Sequence, residues 1–363
     1  MQALKKIATT SAVAALAIGI AACGSNSTTG SSPSGTATGS ATGSGTGTSG
    51  TSLKVGMAYD VGGRGDHSFN DSAAAGLDEA EKKFGITPTE VTANSTDNDA
   101  TRVQRLQQLA QNGNKAIVAV GFSYAAAVGK VAKQFPNVDF AIIDDASDAS
   151  KGDNVDQITF TEQEGSFLAG VAAASTSKSG HIGFVGGVQN ALIQKFQAGY
   201  QAGAKYVNPN VKIDVTYLTQ PPDFSGFADP AKGKTAATGM FQNGADVVYA
   251  AAGKSGDGVF QAAKAAGTGH WAIGVDSDQA LTADASVRDV ILTSMVKGVN
   301  VGVFNFLTRV HDGTFKGGNT VYGLKDKGVY LSTTGGHIDG LKTKLDEVEA
   351  KITSGEIKVP STV

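Results

Sequence analysis

The sequence has very little cysteine, no apolar run that would span a membrane comfortably and no marked excess of one charge. Its single cysteine, Cys23, excludes an internal disulfide, so the fold must rest on the burial of apolar side chains. The 30 basic and 33 acidic residues are interspersed and give a net charge of −3, which excludes a basic surface for nucleic acid. The five histidines lack metal-ligand spacing, and no H-E-x-x-H motif occurs. The sequence therefore predicts no metal site and no nucleic-acid partner.

Three segments approach motifs of nucleotide-binding or catalytic sites, but each lacks a required residue. Gly63 to Ser68 has the first two glycines of G-x-G-x-x-G, yet a serine stands where the third glycine is required. Gly253-Lys254-Ser255 ends like a phosphate-binding loop, but Val248 occupies the position of its first glycine. Gly121 to Ala125 approximates G-x-S-x-G without the last glycine. The sequence predicts no catalytic residue and no cofactor, and an exported hydrolase that uses Ser123 remains an alternative.

The N-terminus has the pattern of an export signal. Met1 to Lys6 carries two lysines, and Ile7 to Ala22 is a short apolar run rich in small residues. The four residues Ile20 to Cys23 resemble a bacterial lipobox, in which the thiol of the cysteine accepts a lipid. We expect a signal peptide over residues 1–22, a lipid on Cys23 and a protein anchored on the extracytoplasmic face of the cell membrane. An ordinary export signal that happens to contain a cysteine is the alternative.

Residues 23–52 consist almost entirely of glycine, serine and threonine. Such a segment has no apolar positions that could build a core, so it predicts a flexible tether. The rest of the chain exceeds the size at which one hydrophobic core stops growing, and two lobes are expected.

From residue 53 onward, short β-branched runs alternate with Ala-rich segments of helical spacing. This alternation is typical of βα units and parallel sheets, and it predicts an α/β protein with two doubly wound lobes. The predicted strands are 53–59, 115–120, 138–143, 154–160, 181–185, 212–218, 246–251, 271–275 and 290–293. The predicted helices are 70–84, 99–112, 123–135, 191–207, 232–243, 256–266 and 298–311, with a further one rich in small residues after 160. We assign residues 53–160 and about 288–325 to lobe 1, and residues 161–287 and about 326–363 to lobe 2.

Acidic residues follow strands in both predicted lobes. Asp144 ends a strand of lobe 1 and Asp276 ends a strand of lobe 2. In doubly wound folds, ligands bind at the carboxyl ends of the strands, so the two carboxylates are expected to face one cleft from opposite walls. Each carboxylate could instead cap a helix or turn. Lys297 is placed to reach the same cleft, or to lie on the surface.

The loop from Tyr59 to Asp71 is the most informative segment. It joins the first strand to the first helix and concentrates a carboxylate, an aromatic ring and a carboxamide in Asp60, Phe69 and Asn70. These groups can accept hydrogen bonds from sugar hydroxyls, stack on a flat base and hydrogen-bond to the edge of the base. A turn in which Asn70 or Ser68 only caps the helix is the alternative.

With these residues in view, the chain resembles the basic membrane lipoprotein family, whose PnrA-like members are purine nucleoside receptors. The resemblance covers residues 53 to about 330. It rests on Asp60 with Ser68 to Asp71, Phe135 to Asp144, Glu164 to Gly170, His181 to Gly187, Phe227 to Lys234, Gly244 to Tyr249 and Gly274 to Asp276. The chain departs from the family pattern at Lys254 and in the insert-like loop Gln220 to Ser225.

The resemblance implies a type I periplasmic-binding-protein fold that closes on a nucleoside and passes it to the permease of an ABC importer. It implies that Phe69 stacks on the base, that Asn70 and Asp144 bind its edge, and that the sugar contacts Asp60, Gly253, Asp276 and Lys297. Phe196 and Tyr249 are the two candidates for the ring opposite Phe69. We expect a monomer, and a receptor of the same fold for a sugar or another small polar solute remains an alternative.

Overall fold

The structure is a computed structural model and describes residues 52–363. The signal peptide predicted for residues 1–22, Cys23 and all of the predicted tether except Ser52 lie outside the described residues. None of the helices among the described residues is long and apolar enough to cross a membrane.

Strands and helices alternate along most of the described chain. The strands are β1 (Lys54–Tyr59), β2 (Thr87–Thr92), β3 (Ala116–Val120), β4 (Asp139–Ile143), β5 (Val155–Phe160), β6 (His181–Val188), β7 (Lys212–Thr219), β8 (Val247–Ala251), β9 (Trp271–Asp276), β10 (Ile291–Lys297), β11 (Gly318–Tyr322) and β12 (Val329–Leu331). The helices are α1 (Phe69–Phe84), α2 (Asp99–Gln111), α3 (Ala125–Gln134), α4 (Glu162–Thr176), α5 (Ala191–Val207), α6 (Pro230–Gln242), α7 (Gly256–Ala266), α8 (Gln279–Thr282), α9 (Val299–His311) and α10 (Lys342–Thr353).

The strands form two six-stranded sheets, one in each lobe. The first sheet has the order β11-β5-β4-β3-β1-β2, and all of its strands are parallel. The second sheet has the order β12-β10-β9-β8-β6-β7, in which only the short β12 runs antiparallel to its neighbour. The predicted two-lobed α/β architecture is confirmed.

Burial explains which strands the sequence pattern predicts. Every residue of β3 and of β8 is buried, because helices cover both faces of a parallel sheet and the central strands are apolar throughout. The edge strand β2 has a polar sequence that includes Pro88, and its residues are at least partly exposed. An edge strand tolerates proline because one side of it makes no ladder bonds. No sequence pattern predicted β2, because this strand lacks an apolar run.

The chain passes between the sheets three times, after β5, after β10 and after β11. Strand β10 (Ile291–Lys297) therefore belongs to the second sheet. From the sequence we assigned residues of about 288–325, and with them this strand, to lobe 1. The prediction is wrong for this strand. Its apolar pattern suits either sheet, and only its pairing with β9 decides the question.

The three connections lie side by side and are joined by hydrogen bonds. Thr161 N–H donates to the Tyr322 carbonyl at 2.9 Å, and Gly298 N–H donates to the Gly328 carbonyl at 2.8 Å. The Glu164 carboxylate accepts from the Thr161 hydroxyl at 2.7 Å and from Leu324 N–H at 3.2 Å. These short connections form the hinge between the lobes.

Helices α4 and α5 pack unusually closely in lobe 2. A Cβ atom on Gly170 would overlap the carbonyl oxygen of Tyr200, and one on Gly203 would overlap the carbonyl oxygen of Phe167. Glycine is needed at these positions because the two backbones touch. The contact fixes α5, whose first two turns carry residues that line the cavity described below.

We predict that Gly203→Ala destabilises the protein by about 1–3 kcal/mol, because the added methyl group must push α4 and α5 apart. The measurement is the free energy of unfolding from urea titration.

Gly239→Ala in α6 is the matched control, because a Cβ atom there meets no atom of residues 52–363 within 4 Å. The control should leave stability unchanged or raise it by up to about 1 kcal/mol, since alanine favours helix more than glycine does. Equal effects of the two variants would disprove the close contact between α4 and α5.

Candidate functional site

A cavity of about 530 Å³, part of which opens to solvent, lies at the carboxyl ends of strands from both sheets. Eight of the nine residues proposed from the sequence as ligand-binding line it: Asp60, Phe69, Asn70, Asp144, Phe196, Gly253, Asp276 and Lys297.

Tyr249, the ninth, does not line the cavity. Its ring is fully buried against Phe184 and Tyr200, with centroid distances of 5.6 and 5.2 Å. Its hydroxyl lies 3.3 Å from that of Ser166 on α4. Side chains of β8 alternate between the two faces of the sheet, and Tyr249 points into the layer of α4 and α5. It is a core residue, and its predicted place in the cleft is corrected accordingly.

The ammonium group of Lys297 lies between carboxylates of the two lobes. Lys297 Nζ is 2.6 Å from Asp144 Oδ2, at the end of a lobe 1 strand, and 3.6 Å from Asp276 Oδ1, at the end of a lobe 2 strand. The lysine side chain is only 2% exposed. Burial alone would lower the pKa of Lys297, but the attraction of Asp144 and Asp276 outweighs it and holds the pKa above its ordinary value.

Asp144 and Asp276 occupy matching positions in the two sheets. Each has a positive φ, 67° for Asp144 and 64° for Asp276, in the left-handed region that non-glycine residues rarely adopt. Burial raises the pKa of Asp276 despite the nearby Lys297, and the hydroxyl of Ser68 donates to its Oδ2 at 2.9 Å. The Oδ1 atoms of both aspartates are buried and have no hydrogen-bond partner among the described residues.

Three phenylalanine rings surround the Lys297 ammonium. The distances from Nζ to the ring centroids are 4.6 Å for Phe69 and 5.5 Å for both Phe160 and Phe196. Phe160 and Phe196 are almost completely buried, whereas Phe69 is partly exposed. Phe196 thus forms the floor of the cavity, and Phe69 forms a wall.

Asp66, which the sequence analysis did not select, organises the loop before α1. Its carboxylate accepts hydrogen bonds from the N–H groups of Ser68, Asn70 and Asp71 at 2.8–3.0 Å, and from the Asn70 side-chain amide at 2.9 Å. Asp66 therefore caps the helix. The alternative interpretation of the sequence had given this capping role to Asn70 or Ser68. The Asn70 Oδ1 accepts from Asp60 N–H at 2.9 Å, which fixes the orientation of the amide.

Asp60 is held by neighbours that leave part of its carboxylate available. Its Oδ1 accepts from Val61 N–H at 2.9 Å and from the Ser123 hydroxyl at 3.1 Å. The Gly121 backbone packs against Oδ2 so closely that a Cβ atom would overlap it. Burial raises the pKa of Asp60 to about 6, although the bonds from Val61 and Ser123 and the charge of Arg102 lower it. Ser123 is thus a hydrogen-bond donor to Asp60.

Two aromatic residues in the cavity wall were missed as site residues. Phe122 follows β3 inside the G-x-S-x-G-like segment, and Phe227 lies in the connection between β7 and α6. Phe227 belongs to a segment that carries the family resemblance, and this signal could have identified it. Phe122 has no such signal.

Polar contacts join the lobes across the cleft. Ser68 Oγ of lobe 1 lies 3.1 Å from the Val275 carbonyl oxygen, and the Ser277 hydroxyl of lobe 2 donates to the Ser68 carbonyl at 2.8 Å. His67 Nδ1 lies 3.3 Å from the Asp257 carboxylate. The structure therefore shows the lobes in contact over the cavity.

Comparison with known proteins gives consistent matches over the described chain. A sequence model of the family described as "ABC transporter substrate-binding protein PnrA-like" matches residues 53–363. A Listeria innocua protein named CD4+ T-cell-stimulating antigen is 38% identical over 86% of this chain and 89% of its own length. The ABC transporter nucleoside-binding protein BmpA of Lactococcus lactis is 37% identical over 86% of this chain and 90% of its own. A crystal structure of a solute-binding protein from Aeropyrum pernix superimposes with a TM-score of 0.74 at 30% identity, covering 85% of this chain and 93% of that one.

We predict that Lys297→Met destabilises the protein by about 3–5 kcal/mol near pH 7, because two buried carboxylates lose their shared cation. Without the ammonium, the pKa of Asp276 rises further above its unfolded value. The folded variant then binds protons more readily than the unfolded chain, so the loss should shrink as the pH falls from about 8 to about 5. Urea titration across this range measures both effects.

Lys264→Met is the control for this prediction. Lys264 pairs with Asp289 at 2.6 Å on the surface, and such exposed pairs contribute less than about 1 kcal/mol. If Lys297→Met loses no more stability than the control, or loses more stability as the pH falls, then Lys297 does not form the buried ion pairs with Asp144 and Asp276 that the structure shows.

We predict that Ser123→Ala raises the pKa of Asp60 above about 6, because it removes a hydrogen bond to the charged carboxylate. Carboxyl ¹³C chemical shifts of labelled aspartate, followed by NMR over pH, give the midpoint. Ser286→Ala, which removes a hydroxyl from the exposed Asp284, should leave the Asp60 midpoint unchanged. An unchanged or lower midpoint in Ser123→Ala would refute this role.

Proposed function

The chain belongs to the family of PnrA-like substrate-binding proteins of ABC transporters, and we propose that it binds a nucleoside, with a purine base, for uptake. Its family consists of extracytoplasmic substrate-binding proteins, so the chain is a substrate-binding protein and not an enzyme. Its fold is the type I periplasmic-binding-protein fold. The name of the Lactococcus lactis relative, a nucleoside-binding protein, supports a nucleoside as the solute.

The observation that carries this proposal is that one cavity is lined both by carboxylate oxygens that can accept further hydrogen bonds and by aromatic rings. Oδ1 of Asp144 is buried without a hydrogen-bond partner among the described residues, and Oδ1 of Asp276 has none there beyond its ion pair with Lys297 Nζ at 3.6 Å. Buried polar atoms are normally hydrogen-bonded, so these atoms call for a ligand that donates hydrogen bonds. Sugar hydroxyls and the N–H groups of a base are such donors.

Phe69 and Phe227 are our candidates for the rings that hold the base. Both line the cavity and are partly exposed, so each offers free ring surface to a ligand. Phe196 is only 2% exposed, which leaves it little ring surface for a ligand. Stacking on an aromatic side chain contributes about 1–3 kcal/mol per base.

The charge of the cavity favours a nucleoside over a nucleotide. Asp60, Asp144 and Asp276 line the cavity, and Lys297 is the cation among its lining residues. Because Lys297 is already paired with two carboxylates, a phosphate group would face like charges in a partly dry site. A neutral ligand avoids this repulsion.

We further propose that a lipid on Cys23 anchors the protein, that residues 23–52 act as a tether, and that the protein works as a monomer. The lipobox-like residues before Cys23 and the composition of the tether support the first two proposals. A site enclosed by two lobes of one chain supports the third, since no second copy is needed to complete it. The partner that receives the ligand is the permease of the importer.

We predict that guanosine, inosine or adenosine stabilises residues 52–363 against heat, by about 2.7 kcal/mol at a ligand concentration of 100 times Kd. Phe69→Ala should weaken binding about 5- to 150-fold, because a stacking surface is lost. Thermal-shift titrations with nucleosides, free bases and sugars measure both effects.

Tyr206→Ala is the control, because it truncates an aromatic side chain that is 49% exposed and does not line the cavity. It should leave the nucleoside shift intact. A shift with a sugar and none with any nucleoside would overturn the proposal and identify a sugar receptor.

A further inference from the structure

Phe224 lies in the connection between β7 and α6 of lobe 2, yet its side chain packs against the hydrophobic core of lobe 1. This connection contains the Gln220 to Ser225 loop, at which the sequence departs from the family pattern. The contact therefore crosses the cleft between the lobes.

Phe224 meets two residues of lobe 1. Its ring lies edge-to-face with that of Phe122, with a centroid distance of 5.9 Å and an interplanar angle of 68°. Phe122 lines the cavity, so Phe224 supports part of the cavity wall from behind. The same ring lies 5.6 Å from the guanidinium carbon of Arg102 on α2.

Arg102 is an unusual partner because its guanidinium is buried and poorly satisfied. The residue is 3% exposed, and its Nε and Nη2 have no hydrogen-bond partner among the described residues. Asp99 Oδ1 lies 3.8 Å from its Nη1, on a side chain that is 75% exposed. A buried cation without full hydrogen bonding is unfavourable, whereas an aromatic face attracts it.

We propose that Phe224 is a positioning residue that latches the closed cleft: it holds Phe122 in the cavity wall, covers Arg102, and so slows release of the bound ligand. This inference rests on the proposed function of the same cavity. When the lobes part, Phe224 leaves both partners and water reaches Arg102. The aromatic contacts of Phe224 favour the closed arrangement of the lobes, and the burial of Arg102 opposes it. The bound ligand therefore shifts the equilibrium between the open and closed arrangements toward the closed one.

The kinetic test uses guanosine and the Phe224→Ala variant of residues 52–363. Dissociation of guanosine, followed by stopped flow, should be about tenfold faster in the variant, and the association rate should stay within about twofold. Phe224→Tyr, which keeps the ring, should restore slow dissociation. Gln220→Ala removes an exposed side chain of the same loop and should behave like the wild type. Unchanged dissociation, or an equal effect on association, would overturn the proposal.

A second measurement separates the latch from the nature of the ligand. Residues 52–363 contain no cysteine, so spin labels can be placed at Lys133→Cys in lobe 1 and Gln242→Cys in lobe 2, both exposed positions. Without ligand, Phe224→Ala should shift the distance distribution between the labels toward longer values than in the labelled wild type. Identical distributions would overturn the latch. If guanosine fails to bind the wild type, the proposed ligand is wrong and this comparison alone decides the role of Phe224.

Discussion

The ion pairs of Lys297 with Asp144 and Asp276 are the interactions on which the site depends. They join the carboxyl ends of the two sheets, and all three residues line the cavity between them. A buried cation is tolerated here only because two carboxylates face it. Because Lys297 cannot bond to every oxygen of Asp60, Asp144 and Asp276, some acceptor oxygens remain available in the cavity. A ligand that donates hydrogen bonds can satisfy them.

Residues in and beside the cavity also make the contacts that hold the two lobes together. Ser68, which precedes α1, donates to Asp276, and Phe69, the first residue of α1, lines the cavity, so the start of this helix contributes both to the wall of the site and to the contact between the lobes. His67 and Asp257 add a second contact, and Phe224 adds an apolar one. A ligand held between the walls would favour the closed arrangement, because it contacts both lobes at once.

Much of this site was predictable because the carboxyl ends of parallel strands converge. That rule alone brings Asp60, Asp144 and Asp276 together, because each ends or directly follows a strand, and Phe69 begins the helix after β1. Tyr249 was misplaced because strand alternation allows two faces, and only the packing of α4 and α5 determines which one. The sheet of β10 was misassigned because its apolar residues suit either core.

The carboxylates that line the cavity outnumber its lining cation, so the cavity should select a neutral ligand rich in hydrogen-bond donors. Isothermal titration of residues 52–363 with guanosine and with guanosine 5′-monophosphate, under identical conditions, measures this selectivity. Guanosine should bind, and the monophosphate should bind at least about tenfold more weakly, a difference of about 1.4 kcal/mol. A monophosphate that binds as tightly as guanosine, or more tightly, would show that the carboxylates do not select against a phosphate.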